Sequence, residues 1–305
     1  MFQYIIGRLL FALCVALTVS FLSFFLIFLT GDPAAAVVGP SGTDQDIESA
    51  RKLYGFDKPI VVQFVQWLSR AIQGDFGLSF FFKIPVSEIL IDRIPVTLQL
   101  GLSAILASLA LSIPLGVVAA LQQGTWVDRL CLILAVIGQA LPSFWFGLIL
   151  IVVFGLLIGV LPTSGSESWQ HYILPTIVLV YYTSPAIMRL TRSGMIEVLG
   201  SDYIRTAYAK GLRKKVILFR HALRNAIIPV VSLSAAQFGY MLAGSVVVES
   251  VFAIHGIGSL AWESILRGDL PTVQAIILLL SCIYVGLTAF ADILNSWFDP
   301  RLRNA

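Results

Sequence analysis

Seven of the chain's twenty Lys and Arg residues fall in one stretch, Ser201 to Asn225, read SDYIRTAYAKGLRKKVILFRHALRN. The chemistry open to Arg205, Lys210, Arg213, Lys214, Lys215, Arg220 and Arg224 is electrostatic: such a segment can hold an acidic surface or a layer of lipid headgroups. Ser201 suits an N-cap, Asp202 sits where the helix dipole favours a carboxylate, and Gly211 suits a left-handed C-terminal position. That spacing predicts a short helix over Asp202 to Lys210. On it Tyr203 and Ala207 share a face at i,i+4, with Ile204 and Tyr208 beside them. Read blandly, the stretch is a basic loop held at the headgroups. Read functionally, it is a docking helix for a cytoplasmic partner.

Other residues that could do chemistry are scattered. His171, His221 and His255 fall on alternate sides of the membrane crossings set out below, so they cannot build one metal site. Cys14, Cys131 and Cys282 lie inside apolar runs, an odd count with no paired spacing, which argues against a disulfide framework or a metal site. No Gly-x-Ser-x-Gly or His-Glu-x-x-His occurs, and no lysine is followed by Ser or Thr, which excludes a Walker A motif. The expectation is a chain with no catalytic residue, no metal and no cofactor of its own, and with no nucleic-acid partner.

The elements that must position the basic stretch are apolar. Of 305 residues 58% are hydrophobic and 12% charged, about half the charged share of ordinary globular domains. Charge-free windows of membrane-crossing length predict six spans, at about 9–30, 95–121, 132–157, 172–188, 228–248 and 271–291. The fold expected is therefore an all-α integral membrane protein with six transmembrane helices. The first run is too long for the apolar core of a signal peptide and reads as an anchor. Ala104, Ser108, Ser112, Gly116 and Ala120 recur at every fourth position of the second span, a face that lets helices approach closely. Gln139 in the third span, with Ser234, Gln237 and Met241 in the fifth, forms a polar, adaptable set that could line a passage or bond neighbouring helices. The cores of all six spans lack Asp, Glu, Lys and Arg, and Glu249 reads as solvated at a span end. A passage without intramembrane charges or a Walker A motif needs an external motor.

Basic residues set the orientation. With the N-terminus inside, 13 of the 20 Lys and Arg lie inside, against seven in the opposite sense. Both termini and the basic stretch are then cytoplasmic, and the segment Gly31 to Arg93 faces outward. That segment carries a capping-box signal at Thr43 and Asp46, with Ile47, Ala50 and Tyr54 on one face. A second helix is expected from Pro59, with Val61, Phe64, Leu68 and Ile72 as its apolar stripe. The organisation expected is a first span plus outer segment over 1–94, a core over 95–291 containing a cytoplasmic loop at 189–227, and a tail over 292–305.

The basic stretch resembles the cytoplasmic loop of permease subunits in binding-protein-dependent ABC importers. In that loop a Glu-Ala-Ala, three residues, Gly, nine residues, Ile-x-Leu-Pro signature forms a coupling helix. With its glycine on Gly211, Ala207, Gly211 and Leu223 fit strictly. YIRTAYAKG followed by RHALRNAIIPVV is similar to the peptide and nickel branch of these importers, in the first of its two permease subunits. GDPA at Gly31, YGFDKP at Tyr54, GDFGLS at Gly74, IPVTLQL at Ile94, LPSFW at Leu141, WQHYILP at Trp169 and VVVESVF at Val246 resemble the same branch. Tyr54 stands where Leu is usual, and His255 where Pro is common.

The resemblance implies a type I importer permease fold in a bacterial cytoplasmic membrane. It also implies a second permease subunit, two cytoplasmic ATPases that hold the ATP and magnesium, and an extracytoplasmic substrate-binding protein. Di- or oligopeptides are the implied cargo, with nickel or glutathione as alternatives within the branch. A self-sufficient channel or secondary carrier is the alternative of a different class. Tyr203, Ile204, Arg205, Ala207, Lys210, Gly211 and Arg213 are the implied ATPase-docking residues. Tyr203, Ile204, Ala207 and Gly211 would lie in the ATPase's groove, with Lys210 and Arg213 at its rim. Val251 to Asp269 and parts of Gly31 to Arg93 are the implied contacts for the binding protein, with Glu249, His255, Gly256 and Trp262 as the named residues.

Overall fold

A computed structural model of the chain describes residues 2–30, 32–39 and 42–298, and among them every regular element is helical. α1 (Phe2–Thr30) leads into three short helices, α2 (Pro33–Val38), α3 (Asp44–Tyr54) and α4 (Ile60–Ala71). The core follows: α5 (Val86–Leu121), α6 (Trp126–Ala140), α7 (Ser143–Leu150) and α8 (Ile173–Leu199). Next come α9 (Asp202–Ala209), α10 (Lys214–Val216) and α11 (Arg224–Ala226), the last two joined by a wider π-helical stretch over Ile217–Leu223. α12 (Ile228–Val251), α13 (Ile257–Leu266) and α14 (Leu270–Phe298) complete the order.

Among the described residues, three helical stretches are long and apolar enough to cross a membrane: Val86–Leu121, Trp169–Leu199 and Leu270–Leu294. Lys214–Ala226 with Ile228–Leu242, bent by 52°, makes a fourth if it is one span. The third expected run, 132–157, is not one helix: Leu141 turns extended before Pro142, and a new helix starts at Ser143. A residue before proline is pushed out of the α region, which is the physical reason for the break. The segment expected to be short, 172–188, extends to Leu199 with Pro185 inside it. The tail from 299 onward, with Arg301 and Arg303, lies outside the described residues.

α5 and α8 form the most extensive helix pair and run through the middle of the fold. Their contact uses the small residues of α5: Ala104, Ser108, Ser112, Gly116 and Ala120 are all buried. Three hydroxyl contacts cross it: Ser103 Oγ with Thr176 Oγ1 at 2.9 Å, Ser108 Oγ with Thr183 Oγ1 at 2.7 Å, and Ser112 Oγ donating to the Ser184 carbonyl at 3.0 Å. Around this seam Leu100, Leu174, Ile187, Val230, Phe252 and Ile254 form the main apolar core. Without a hydrophobic drive between helices in lipid, close contact and interhelical hydrogen bonds must supply the association.

Thr43 caps α3 in a reciprocal box with Asp46, and Gly55 closes it. On α4, Phe64, Trp67 and Ala71 are buried, whereas Val61 and Ile72 are exposed. The expected stripe is thus rotated, because α4 packs its aromatic residues on α1: Phe64 lies edge-on to Phe21 at 5.2 Å and to Phe24 at 5.6 Å. Buried aromatic pairs outweigh the aliphatic area at Val61 and Ile72, roughly a quarter turn round the helix.

Candidate coupling site

The basic stretch folds as a compact elbow between α8 and α12. α9 starts after Ser201, whose backbone is extended, but the Ser201 hydroxyl bonds back to the Val198 carbonyl at 2.6 Å and makes no cap bond to α9. The helix ends at Lys210, and Gly211 follows at φ +72°, a conformation that other residues adopt only with strain.

Two residues expected in an ATPase groove are instead part of this chain's own core. Ile204 is fully buried and Ala207 nearly so, packed with Val117 and Ala120 of α5, Met195 of α8, and Ile217, Ala222 and Ala226. The eight-residue helix carries apolar groups on two faces, and the Ile204/Ala207 face turns inward. Tyr203, Arg205, Lys210, Gly211 and Arg213 are exposed, together with Thr206, Tyr208, Lys214 and Lys215. Tyr203 Oη accepts from Asn225 Nδ2 at 2.7 Å, so the outer face of α9 is tied to the segment entering α12. Arg205 reaches Asp202 at 3.2 Å on the surface, a contact worth little in water. The result is a short basic and aromatic ridge fixed from behind to three helices. Replacing Ile204 with Ala should cost roughly 2–5 kcal/mol of stability, as for other buried aliphatic truncations. A thermal melt in detergent would read that loss, which a residue seated only in a partner's groove would not show.

An ion pair steadies the approach to α9. Arg192, near the end of α8, bonds Asp128 in the first turn of α6 through two parallel contacts, Nε to Oδ1 at 2.6 Å and Nη2 to Oδ2 at 2.7 Å. Gly124 N–H adds a third bond to Oδ2 at 3.0 Å. The Arg192 guanidinium and the Gly124 amide hold the Asp128 carboxyl well below its ordinary range, at about 2. The side chain of Asp128 is only 4% exposed. The sequence reading missed this pair; the available signal was a carboxylate in a helix's first turn just after a Gly124 turn, and the adjacent Arg129 masks the need for a distant partner.

At the other end of α12, the segment leading through α13 to α14 is latched by two buried carboxyl groups. Glu249 is fully buried rather than solvated: Thr97 Oγ1 and Ser245 Oγ each donate to Oε1 at 2.8 Å, and Ser259 N–H donates to Oε2 at 2.9 Å. Thr97 Oγ1 in turn accepts from Ile257 N–H at 2.7 Å. Gly256 is buried in this knot; a Cβ there would lie 2.3 Å from Thr97 Oγ1 and 2.6 Å from Glu249 Oε2. Neither Glu249 nor Gly256 is therefore placed to touch a binding protein, whereas His255 and Trp262 are exposed. Asp269 is likewise buried, accepting from Ser79 Oγ, Phe80 N–H and Thr272 Oγ1 at 2.5–2.8 Å.

The expected passage residues are dispersed. Met241 is buried and borders a cavity of about 460 Å³ with Ser143, Tyr182, Thr183 and Tyr240. Ser234 donates to the Val230 carbonyl and, like Gln237, is half-buried. The side chain of Gln139 lies outside the described residues. Among the described residues, no group of three or more His, Cys, Asp or Glu side chains could hold a metal ion.

A membrane-spanning helical chain that presents a rigid basic elbow at one end of its packed spans, and a latched loop at the other, has the build of a transport subunit driven from outside itself. Comparison with known families makes this specific. Residues 112–304 match the model of the binding-protein-dependent transport system inner membrane component, and residues 1–101 match that of its N-terminal region. The chain belongs to this family and is a permease subunit of a binding-protein-dependent ABC importer. It is 40% identical over 304 residues to the glutathione transport system permease protein GsiC of Escherichia coli strain K12, covering 99% of both chains. The GsiC of Shigella flexneri serotype 5b matches to the same extent. Among solved structures, a chain of the inward-facing MetNI methionine ABC transporter aligns at TM-score 0.57 and 18% identity. The alignment covers 69% of this chain and 96% of that one, a likeness of fold.

Proposed function

We propose that this permease forms half of a passage for small peptides across a bacterial cytoplasmic membrane, in six spans with both termini inside. A second permease completes the passage, an extracytoplasmic binding protein delivers the cargo, and two ATPases supply the energy with their own ATP and magnesium. The observation that carries the reading is the exposed ridge of Tyr203, Arg205, Lys210, Gly211 and Arg213 on a helix fixed from behind by Ile204 and Ala207. A helix seated in this way transmits displacement instead of absorbing it: motion of α9 reaches α8 through Met195 and α12 through Asn225. ATP-driven closure of the ATPases would move the elbow and switch the spans between outward and inward access. Tyr182, Tyr240, Met241 and the Ser143 and Thr183 hydroxyls would line the passage, and His255 and Trp262 would meet the binding protein.

The likeness to GsiC makes glutathione a specific candidate cargo within the peptide class; nickel is the other cargo of the branch. Charge reversal of Lys210 and Arg213 combined with Gly211→Trp should abolish co-purification of the ATPases and ATP-dependent uptake while leaving the membrane subunit folded. Unchanged co-purification and uptake would count against the docking assignment. Transport of cargo by this chain reconstituted alone, without an ATPase, would establish a channel or secondary carrier and sink the importer mechanism.

A further inference from the structure

A second site lies away from the coupling elbow, where α4 and the loop after it meet the ends of α1 and α14. It is a half-open cavity of about 380 Å³, within the range of small-molecule sites. Aromatic rings of Phe24, Tyr54, Phe56, Trp67, Phe76 and Phe80 form most of its wall. Leu270, Pro271 and Gln274, in the first turns of α14, close it. Trp67 is 7% exposed, and its buried indole N–H has no hydrogen-bond partner among the described residues. An unmatched buried donor is costly, and buried Trp N–H groups usually find an acceptor. The exposed members of the lining include one cation and one anion, Arg70 and Asp75; Asp75 Oδ1 already accepts from Gly77 N–H at 2.9 Å.

We infer that this cavity binds a phosphatidylethanolamine, one chain against the aromatic wall and its headgroup at the charged rim. The cavity lies at the C-terminal end of α1 and the N-terminal end of α14, where these two apolar helices would emerge from a membrane. There aromatic side chains meet the ester region of the lipid. The Trp67 ring lines the wall and gives the chain apolar contact, while its N–H lies behind that wall. The phosphate pairs with Arg70, and the ammonium, with its three donors, pairs with Asp75. An anionic lipid without an ammonium would leave Asp75 facing like charge, and a choline headgroup offers it no N–H donor. The inference requires α1 and α14 to cross the membrane, and holds whatever cargo the importer carries.

The test uses the full chain in phosphatidylcholine nanodiscs containing a small fraction of phosphatidylethanolamine with brominated chains, which quench nearby tryptophan fluorescence. The Trp67 signal is the difference between the native chain and Trp67→Phe. It should be quenched by brominated phosphatidylethanolamine and spared by brominated phosphatidylglycerol at the same fraction. Arg70→Gln and Asp75→Asn, both at exposed positions, should leave the melting temperature unchanged. Each should raise the lipid fraction giving half-quenching roughly threefold to tenfold, the range expected for one lost hydrogen bond. The Arg70→Gln/Asp75→Asn double variant should lower the amount of phosphatidylethanolamine that co-purifies, measured by mass spectrometry. Equal quenching by brominated phosphatidylethanolamine and brominated phosphatidylglycerol, or no effect of Arg70→Gln and Asp75→Asn, would overturn the assignment. Quenching by a peptide bearing dibromotyrosine where the lipid gives none would also overturn it, and would make the cavity a peptide subsite.

Discussion

Glu249→Ala is expected to destabilise the chain by several kcal/mol and to abolish import even if some folded protein is recovered. The substitution strands the Thr97 hydroxyl and the Ser259 N–H, while Ser245 Oγ keeps the Leu242 carbonyl; a buried donor left unmatched costs roughly 1–3 kcal/mol. It also opens space beside Gly256 and Gly258, whose close approach to Oε2 shapes the turn into α13. Glu249→Gln keeps the volume but puts an amide NH₂ among donors, so it should lose less than Ala and more than Ser245→Ala. Gly256→Ala tests the same knot from the other side, since its Cβ would collide with Thr97 and Glu249. Thermal unfolding of purified protein should rank the variants in that order. If Glu249→Ala melts with the native protein, the knot does not hold the loop. The functional loss follows from position: the knot joins α12 to α5 and to the start of α13, and α13 carries the exposed Trp262.

Much of this was legible in the sequence, and the failures share a cause. Uninterrupted apolar runs showed α14 and α5 from residue 95 on, though not its charged first turns from Val86, and Gly211 showed where α9 stops, because these signals are local. The inward face of α9 was not legible: Tyr203, Ile204, Ala207 and Tyr208 give its eight residues two apolar edges, and only the neighbours decide which is buried. Glu249 at the end of an apolar run looks the same whether water or Thr97 meets it, and Thr97 is 152 residues distant. The α4 stripe was legible at Phe64 and Leu68 but not at Trp67, which the rings of α1 bring inward while Val61 and Ile72 stay exposed. Pairing across the fold sets the orientation of amphipathic and polar residues, and a single sequence does not record it.

That principle also governs the link between the spans and the elbow. Arg192 precedes α9 by ten residues, and its partner Asp128 lies 64 residues earlier on α6. The pair therefore fixes the lower end of α8 to a neighbour that α9 itself does not touch closely. Arg192→Met leaves the Asp128 carboxyl buried with only the Gly124 amide, and should cost roughly 3–5 kcal/mol, the usual price of breaking a buried pair from one side. Asp128→Leu strands a guanidinium that is less deeply buried, with side-chain exposure of 21%, and should cost less. The double variant Asp128→Leu/Arg192→Met should recover much of the loss, because apolar replacement of both partners is often neutral. The sign of the pH dependence follows from the depressed carboxyl. Its contribution is complete above about pH 4, where the unfolded carboxyl is ionised, and is lost as the pH falls toward 2. The gap in melting temperature between the native chain and the double variant should thus shift between pH 5 and pH 2.5, and stay flat between pH 5 and pH 8. ATP hydrolysis by the assembled importer separates anchoring from bulk stability. With α8 loosened, Arg192→Met should hydrolyse ATP at a normal rate while import falls, and the double variant should restore folding without restoring that coupling. Full recovery of import in the double variant would show that the pair serves stability alone.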